Sequence, residues 1–179
     1  MFKAMEQAAP AAVWRAKRVR IEHGDGIRPD LMEQAVRLGV VVIQNPTHLE
    51  SSPGGVKVLH EELPLSTLLR LGIVVALGSD GGPRERNPFM NLMLAVTDAS
   101  QPSEALSREQ ALKAYTAGSA YAGRQEGRQG RIAPGFAADL AVLSQDILTM
   151  PVQQLPATRS LLTVVDGEVV FEDSLLSAR

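Results

Sequence analysis

At 179 residues the chain is long enough to bury a sizeable core but too short for a closed eight-unit α/β barrel, which takes about 250 residues. Apolar residues at 45%, charged residues at 21% and a net charge of −2 match an ordinary globular domain, with no bias toward nucleic acid or a membrane surface. The absence of cysteine excludes disulfides, a thiolate nucleophile and Cys-based zinc binding, so any metal must sit on His, Asp, Glu or a modified Lys.

No apolar run approaches the roughly 20 residues of a membrane span, and Met1 to Val13 lacks a signal-peptide core. A cytoplasmic protein is the expectation. From residue 1 to about 125, short apolar runs alternate with helical patterns, the signature of βα units on a parallel sheet. Arg18 to His23 alternates as a strand, Pro29 opens a helix that Gly39 closes, and Val40-Val41-Val42-Ile43 is a β-branched run suited to burial on both faces. The polar segment from Gln44 to Lys57 is long enough to be a functional loop. Leu63 to Leu71 then reads as a helix, Gly72 as its cap, and Ile73 to Leu77 as a third strand.

Further on, Asn87-Pro88 provides an N-cap and first-turn proline for a helix through about Asp98. Met90, Met93 and Leu94 read as its packing face. Ser107 with Gln110 is a capping box for a helix to about Ala122. After Arg124 the rhythm becomes strands and turns: Phe136 to Leu143, Ser160 to Val165 and Glu168 to Phe171, with Asp166-Gly167 as a hairpin turn between the last two. The expected division is an α/β region over 1–125 and a small antiparallel element over 126–179.

The residues with chemical potential gather at the ends of the strands. His23 and Asp80 bracket two βα crossovers, which places an imidazole and a carboxylate on the C-terminal rim of one parallel sheet, where ligands bind. A rim histidine satisfied by hydrogen bonds and a turn aspartate would explain each residue alone; their joint placement favours metal-assisted hydrolysis. There the imidazole holds a cation, the cation makes water a nucleophile, and the carboxylate takes the proton.

Asn45 and His48 follow the middle strand on the same rim and are candidates for substrate contact, as is Gly81 beside Asp80. His60, next to Glu61-Glu62, reads as solvated, and Arg15, Arg18 and Arg20 as surface. Gly81-Gly82-Pro83 is a weak phosphate loop, because it lacks the Walker Lys-Ser/Thr pair and Asp80 would repel the anion.

Several segments together resemble the metal-dependent amidohydrolase superfamily, in the subgroup that includes N-substituted formamide deformylase-like enzymes. Arg20-Ile21-Glu22-His23 resembles the family's sixth barrel strand with its metal-binding histidine, and Gln44-Asn45-Pro46-Thr47-His48 the end of the seventh. Ala76-Leu77-Gly78-Ser79-Asp80 with Asn87-Pro88-Phe89 resembles the eighth, carrying the catalytic aspartate. Ala111 to Tyr121 resembles the last barrel helix. Glu126 to Gly130, Pro134-Gly135, Ala138 to Leu143 and Thr163 to Val170 resemble the closing β-sandwich strands, with Asp139 in a structural role.

The resemblance implies strands six to eight of a (β/α)8 TIM-type barrel plus a small antiparallel β-sandwich element. It also implies hydrolysis of a non-peptide C–N bond of a small amide-type substrate, with His23 as metal ligand and Asp80 as proton shuttle and ligand. The cofactor implied is a divalent metal, zinc foremost. The family's His-x-His pair, bridging lysine and further histidine have no counterpart, since the histidines here are His23, His48 and His60. Met1 to Ala12 resembles the helix after the family's fifth strand. The chain is therefore expected to be a C-terminal portion, inactive alone, that needs an N-terminal half or self-associates. The competing expectation is a non-catalytic assembly or ligand-binding module that oligomerises.

Overall fold

A computed structural model describes residues 1–24, 27–49, 63–80, 86–98 and 101–177. Two three-stranded sheets organise it. In the first, β1 (Arg20–Ile21), β2 (Val41–Gln44) and β3 (Val74–Leu77) are parallel and lie in the order β1-β2-β3, with Ile21 opposite Val42 and Gln44 opposite Leu77. Helix α3 (Pro29–Leu38) connects the first two strands; proline starts it and Gly39, at φ 64°, ends it in the left-handed conformation. Its residues Met32, Ala35 and Leu38 recur every three positions and are buried. Helix α4 (Leu65–Arg70) precedes β3 and buries Leu65 and Leu68.

The N-terminal helix expected over Met1 to Ala12 is two helices, α1 (Phe2–Ala8) and α2 (Ala11–Lys17). Pro10 has no amide hydrogen and its ring collides with the preceding turn, so Ala9 turns extended and the helix restarts. The Trp14 indole donates to the Met5 carbonyl at 2.8 Å and to the Ala9 carbonyl at 3.1 Å, bracing the break.

Helix α5 (Pro88–Thr97) begins as expected: the Asn87 carboxamide oxygen accepts from the Phe89 and Met90 amides at 2.9 and 3.2 Å. Its buried face is Asn91, Leu92 and Ala95, whereas Met90, Met93 and Leu94 are only half-buried. The buried face is thus turned by a fraction of a turn from the expected one, because Asn91 is buried with its carboxamide bonded to Thr47 and Asn87. The helix predicted over residues 107–122 is α6 (Arg108–Lys113), a wide π turn (Ala114–Gly118) and α7 (Ser119–Ala122). The capping box at Ser107 is formed on both sides.

The second sheet is antiparallel in the order β4 (Leu140–Leu143), β5 (Ser160–Val165), β6 (Glu168–Glu172). Asp166 and Gly167 both have positive φ, 51° and 87°, the requirement of the tight hairpin turn that matches strand twist. Strand β4 is shorter than expected because the Phe136 amide is committed to the Ala133 carbonyl in a turn. Asp139 is structural: its carboxylate accepts from the Asp166 amide at 2.8 Å and from Gln129 Nε2 at 2.9 Å, tying the hairpin to the preceding loop.

The arginines are engaged at the surface: Arg18 pairs with Glu126, whose carboxyl lies below its ordinary value through backbone and Arg18 hydrogen bonds, and Arg20 pairs with Glu22. A 3-10 turn (Val152–Ala157) joins the two regions, accepting a 3.0 Å hydrogen bond at Pro156 from Asn87 Nδ2. Arg108 donates to the Ile147 and Met150 carbonyls at 2.7 and 2.5 Å. Among the described residues no helix is long and apolar enough to cross a membrane.

Candidate functional site

The three parallel strands end on one rim, and each delivers a side chain with metal-binding chemistry. His23 stands two residues beyond β1 in the left-handed conformation at φ 50°, so its side chain leaves the strand direction. Gly24 then turns back onto β2: its amide donates to the Ile43 carbonyl at 2.9 Å, and a Cβ there would lie 2.3 Å from Val42 Cγ1. Only glycine permits that approach. Gln44, fully buried at the end of β2, donates to the Gly24 carbonyl at 3.1 Å and clamps the turn that carries His23.

Beyond β2, within the expected loop, the chain forms a 3-10 turn (Pro46–Leu49). The His48 amide donates to the Asn45 carbonyl at 2.9 Å, and the Thr47 amide to buried Asn91 Oδ1 at 3.2 Å. Asn91 in turn donates to the Asn87 carbonyl at 3.1 Å. The turn bearing His48 is therefore fastened to α5. Beyond β3, the Gly78 amide donates to the Gln44 carbonyl at 3.0 Å and leads through Ser79 to Asp80. The start of α7 supports this end, with Ser119 Oγ donating to the Leu77 carbonyl at 3.1 Å.

The result is one cluster. His23 Nε2 lies 3.4 Å from Asp80 Oδ2, and the His48 ring stacks on that of His23 with centroids 5.3 Å apart and planes 7° from parallel. One donor atom each from His23, His48 and Asp80 falls within 4.8 Å of the others. Asn45, 6% exposed, places its carboxamide nitrogen 3.4 Å from His23 Nδ1. Carboxamide nitrogen and oxygen are interchangeable by rotation, so Asn45 can hold His23 in either tautomer and leave Nε2 directed at the cluster. The His23 and Asp80 side chains are both more than half exposed, which leaves room for a ligand and water.

Of the residues singled out from sequence, His23, Asn45, His48 and Asp80 come together, whereas Gly81 and His60 lie outside the described residues. Gln44, Asn91 and Tyr115 were missed. The first two are buried polar residues inside apolar elements, whose partners come close only on folding. Burial raises the phenol of Tyr115 above the ordinary 10.0, with the Ser79 hydroxyl opposing.

Residues 1–171 match the profile of the amidohydrolase family. The chain belongs to that family. This amidohydrolase chain is 30% identical over 170 residues to YtcJ of Bacillus subtilis, covering 87% of itself and 32% of that protein. It is also 30% identical over 115 residues to N-substituted formamide deformylase of Arthrobacter pascens, covering 61% of itself and 21% of the enzyme. Among solved structures, an uncharacterized metal-dependent hydrolase of Pyrococcus furiosus superposes with a TM-score of 0.60 at 29% identity, over 73% of this chain and 29% of that one. The chain thus spans about a third or less of the length of the curated relatives it matches.

Proposed function

We propose that this amidohydrolase chain carries the C-terminal rim of a metal-dependent hydrolase that cleaves a non-peptide C–N bond in a small amide-type substrate. The observation that carries it is the 3.4 Å approach of His23 Nε2 and Asp80 Oδ2 across the ends of two strands on either side of β2. In this reading β1 to β3 are the sixth to eighth strands of a barrel over residues 1–125, and residues 126–179 are a β-sandwich element.

The donor set fits a borderline divalent cation: imidazole nitrogen and carboxylate oxygen, no thiolate, and partial exposure. His23 and Asp80 would hold it, zinc being the best match to those donors. When bound, such a cation supplies a water nucleophile near neutral pH and polarises the substrate carbonyl. The Asp80 carboxylate would take the proton of the attacking water and return it to the leaving nitrogen as the C–N bond breaks. Asn45 holds the His23 ring, and Asn45 and His48 contact the substrate. The relative that acts on N-substituted formamides makes these the first compounds to test.

The test is hydrolysis of N-substituted formamides and other non-peptide amides by the zinc-supplied chain, alone and mixed with the upstream region of a relative. Asp80→Asn is expected to abolish whatever hydrolysis the parent shows, by more than about 100-fold. Hydrolysis that survives Asp80→Asn undiminished would overturn the reading, as would its absence under both conditions.

The alternative, an assembly module, is favoured by one observation: β6 is exposed along its whole length, with Val169, Val170 and Phe171 about half or more accessible. Size-exclusion chromatography with light scattering separates the two. Oligomerisation that persists while zinc binding and hydrolysis are both absent would favour the module.

A further inference from the structure

Strand β2 is apolar and buried up to its last residue, Gln44, which is fully buried as well. Only half of its carboxamide is used. Nε2 donates to the Gly24 carbonyl at 3.1 Å, while Oε1 is buried with no hydrogen-bond partner among the described residues. An unmatched buried oxygen costs free energy, and an aliphatic side chain would close the strand without it. What sets Gln44 apart from an aliphatic residue is the single bond it makes.

That bond holds a strained turn. His23 has φ 50°, a left-handed backbone that a residue with a side chain keeps only where its surroundings impose it. Gly24, the next residue, is pinned to β2 at both of its polar groups: its amide donates to the Ile43 carbonyl at 2.9 Å, and its carbonyl accepts from Gln44. Val42 Cγ1 lies directly against the same glycine.

We infer that Gln44 is a positioning residue: through the Gly24 carbonyl it fixes the strained His23 backbone and so sets the imidazole 3.4 Å from Asp80. The inference rests on the proposed role of His23 and Asp80 in hydrolysis. Asn45 approaches the ring itself, whereas Gln44 acts through the backbone. An apolar residue in place of Gln44 would leave the buried Gly24 carbonyl without its donor. Lifting the turn toward water restores a hydrogen bond to that carbonyl and carries His23 away from Asp80.

The experiment compares the full chain with Gln44→Met, which keeps the length and removes the donor, and Gln44→Asn, which keeps the carboxamide and shortens its reach. Gly24→Ala is the third variant, because its Cβ would lie 2.3 Å from Val42 Cγ1 and push the same turn off β2 with Gln44 intact. Nuclear magnetic resonance of the metal-free chain reads the 13Cα and 13Cβ shifts of His23, which report its backbone conformation, and the cross-peak between the stacked His23 and His48 rings. Amide exchange in β2 and β3 verifies that the sheet persists. All three variants should lose the left-handed signature and the ring cross-peak while sheet protection is kept. In formamide hydrolysis by the chain mixed with a relative's upstream region, kcat should fall about 100-fold at nearly constant KM, the scale of a displacement of about 1 Å.

A left-handed His23 retained in both Gln44 variants, with hydrolysis by the parent, would overturn the inference and leave the proposed function standing. Loss of sheet protection in both Gln44 variants would also overturn it, since the glutamine would then serve the fold. Absence of hydrolysis by the parent, with the signature lost in the variants, would overturn the proposed function while the hold of Gln44 on His23 stands.

Discussion

The two sheets treat their surroundings in opposite ways. In the parallel sheet, Val41, Val42, Val75, Ala76 and Leu77 are all buried, and α3, α4 and the π turn pack around them. In the antiparallel sheet no residue of β6 is buried, and Val142 and Val165 are about half exposed. The parallel region is a rigid platform for side chains at its rim; the antiparallel region braces it from outside through Asn87, Arg108 and the 3-10 turn. The candidate site residues stand at the ends of the buried strands.

The sharpest way to break this comparison is to open cavities on each side. Leu68→Ala removes a fully buried side chain beneath the parallel sheet and is expected to cost about 2–5 kcal/mol in denaturant unfolding. Val170→Ala, 60% exposed, should stay within about 0.5 kcal/mol. Equal losses would remove the distinction between the regions.

Next comes the π turn. A Cβ on Gly118 would lie 2.4 Å from the Val75 carbonyl oxygen, a backbone atom that cannot swing aside. Gly118→Ala is expected to cost about 1–3 kcal/mol by overpacking, whereas Gly127→Ala meets nothing within 4 Å and should be near neutral. An unchanged midpoint for Gly118→Ala would mean the turn does not press on β3.

A smaller effect concerns the outer support of the site. Asn45→Ala is expected to weaken Zn2+ binding about 10–100-fold in calorimetry while His23 and Asp80 are retained. Unaltered affinity would show that the Asn45 contact does not orient the histidine.

The smallest effects are in pH. Asp146 is held below its ordinary 3.8 by hydrogen bonds, first from the Thr149 hydroxyl and then from the Leu148 amide, opposed by slight desolvation. Its folded pKa is depressed, so its contribution is present above pH 3.8 and fades as pH falls through the lowered value. Asp146→Asn should flatten the acid limb of stability against pH. Tyr115, raised mainly by burial, behaves in the reverse sense: its contribution is full below pH 10.0 and lost as pH climbs through the raised value. Tyr115→Phe should flatten the alkaline limb, and steepening in either variant would contradict the assignment.

How much of this could be read from sequence depends on where the decisive contacts lie. The β-branched runs at Val40 to Ile43 and Ile73 to Leu77 announce buried strands, and Gly39, Asn87, Ser107 and Asp166-Gly167 mark their boundaries through local chemistry. His23 and Asp80 follow from that framework. The π turn does not, because Ala114 to Gly118 has ordinary helical residues and the wider turn accompanies contacts with Val75 and Leu77, more than thirty positions away. The same holds for Gln44 and Asn91, whose partners Gly24 and Thr47 become neighbours only in the folded sheet. The approach of His48 to His23 is likewise tertiary, set by a turn whose bracing lies on α5.

X-ray absorption spectroscopy of the zinc-loaded chain tests the rim most directly, since imidazole scattering counts histidine ligands. The expected result is a first shell of nitrogen and oxygen at about 2.0–2.1 Å that contains an imidazole, lost in His23→Ala. A shell with no imidazole, or one unchanged by removing His23, would contradict the account.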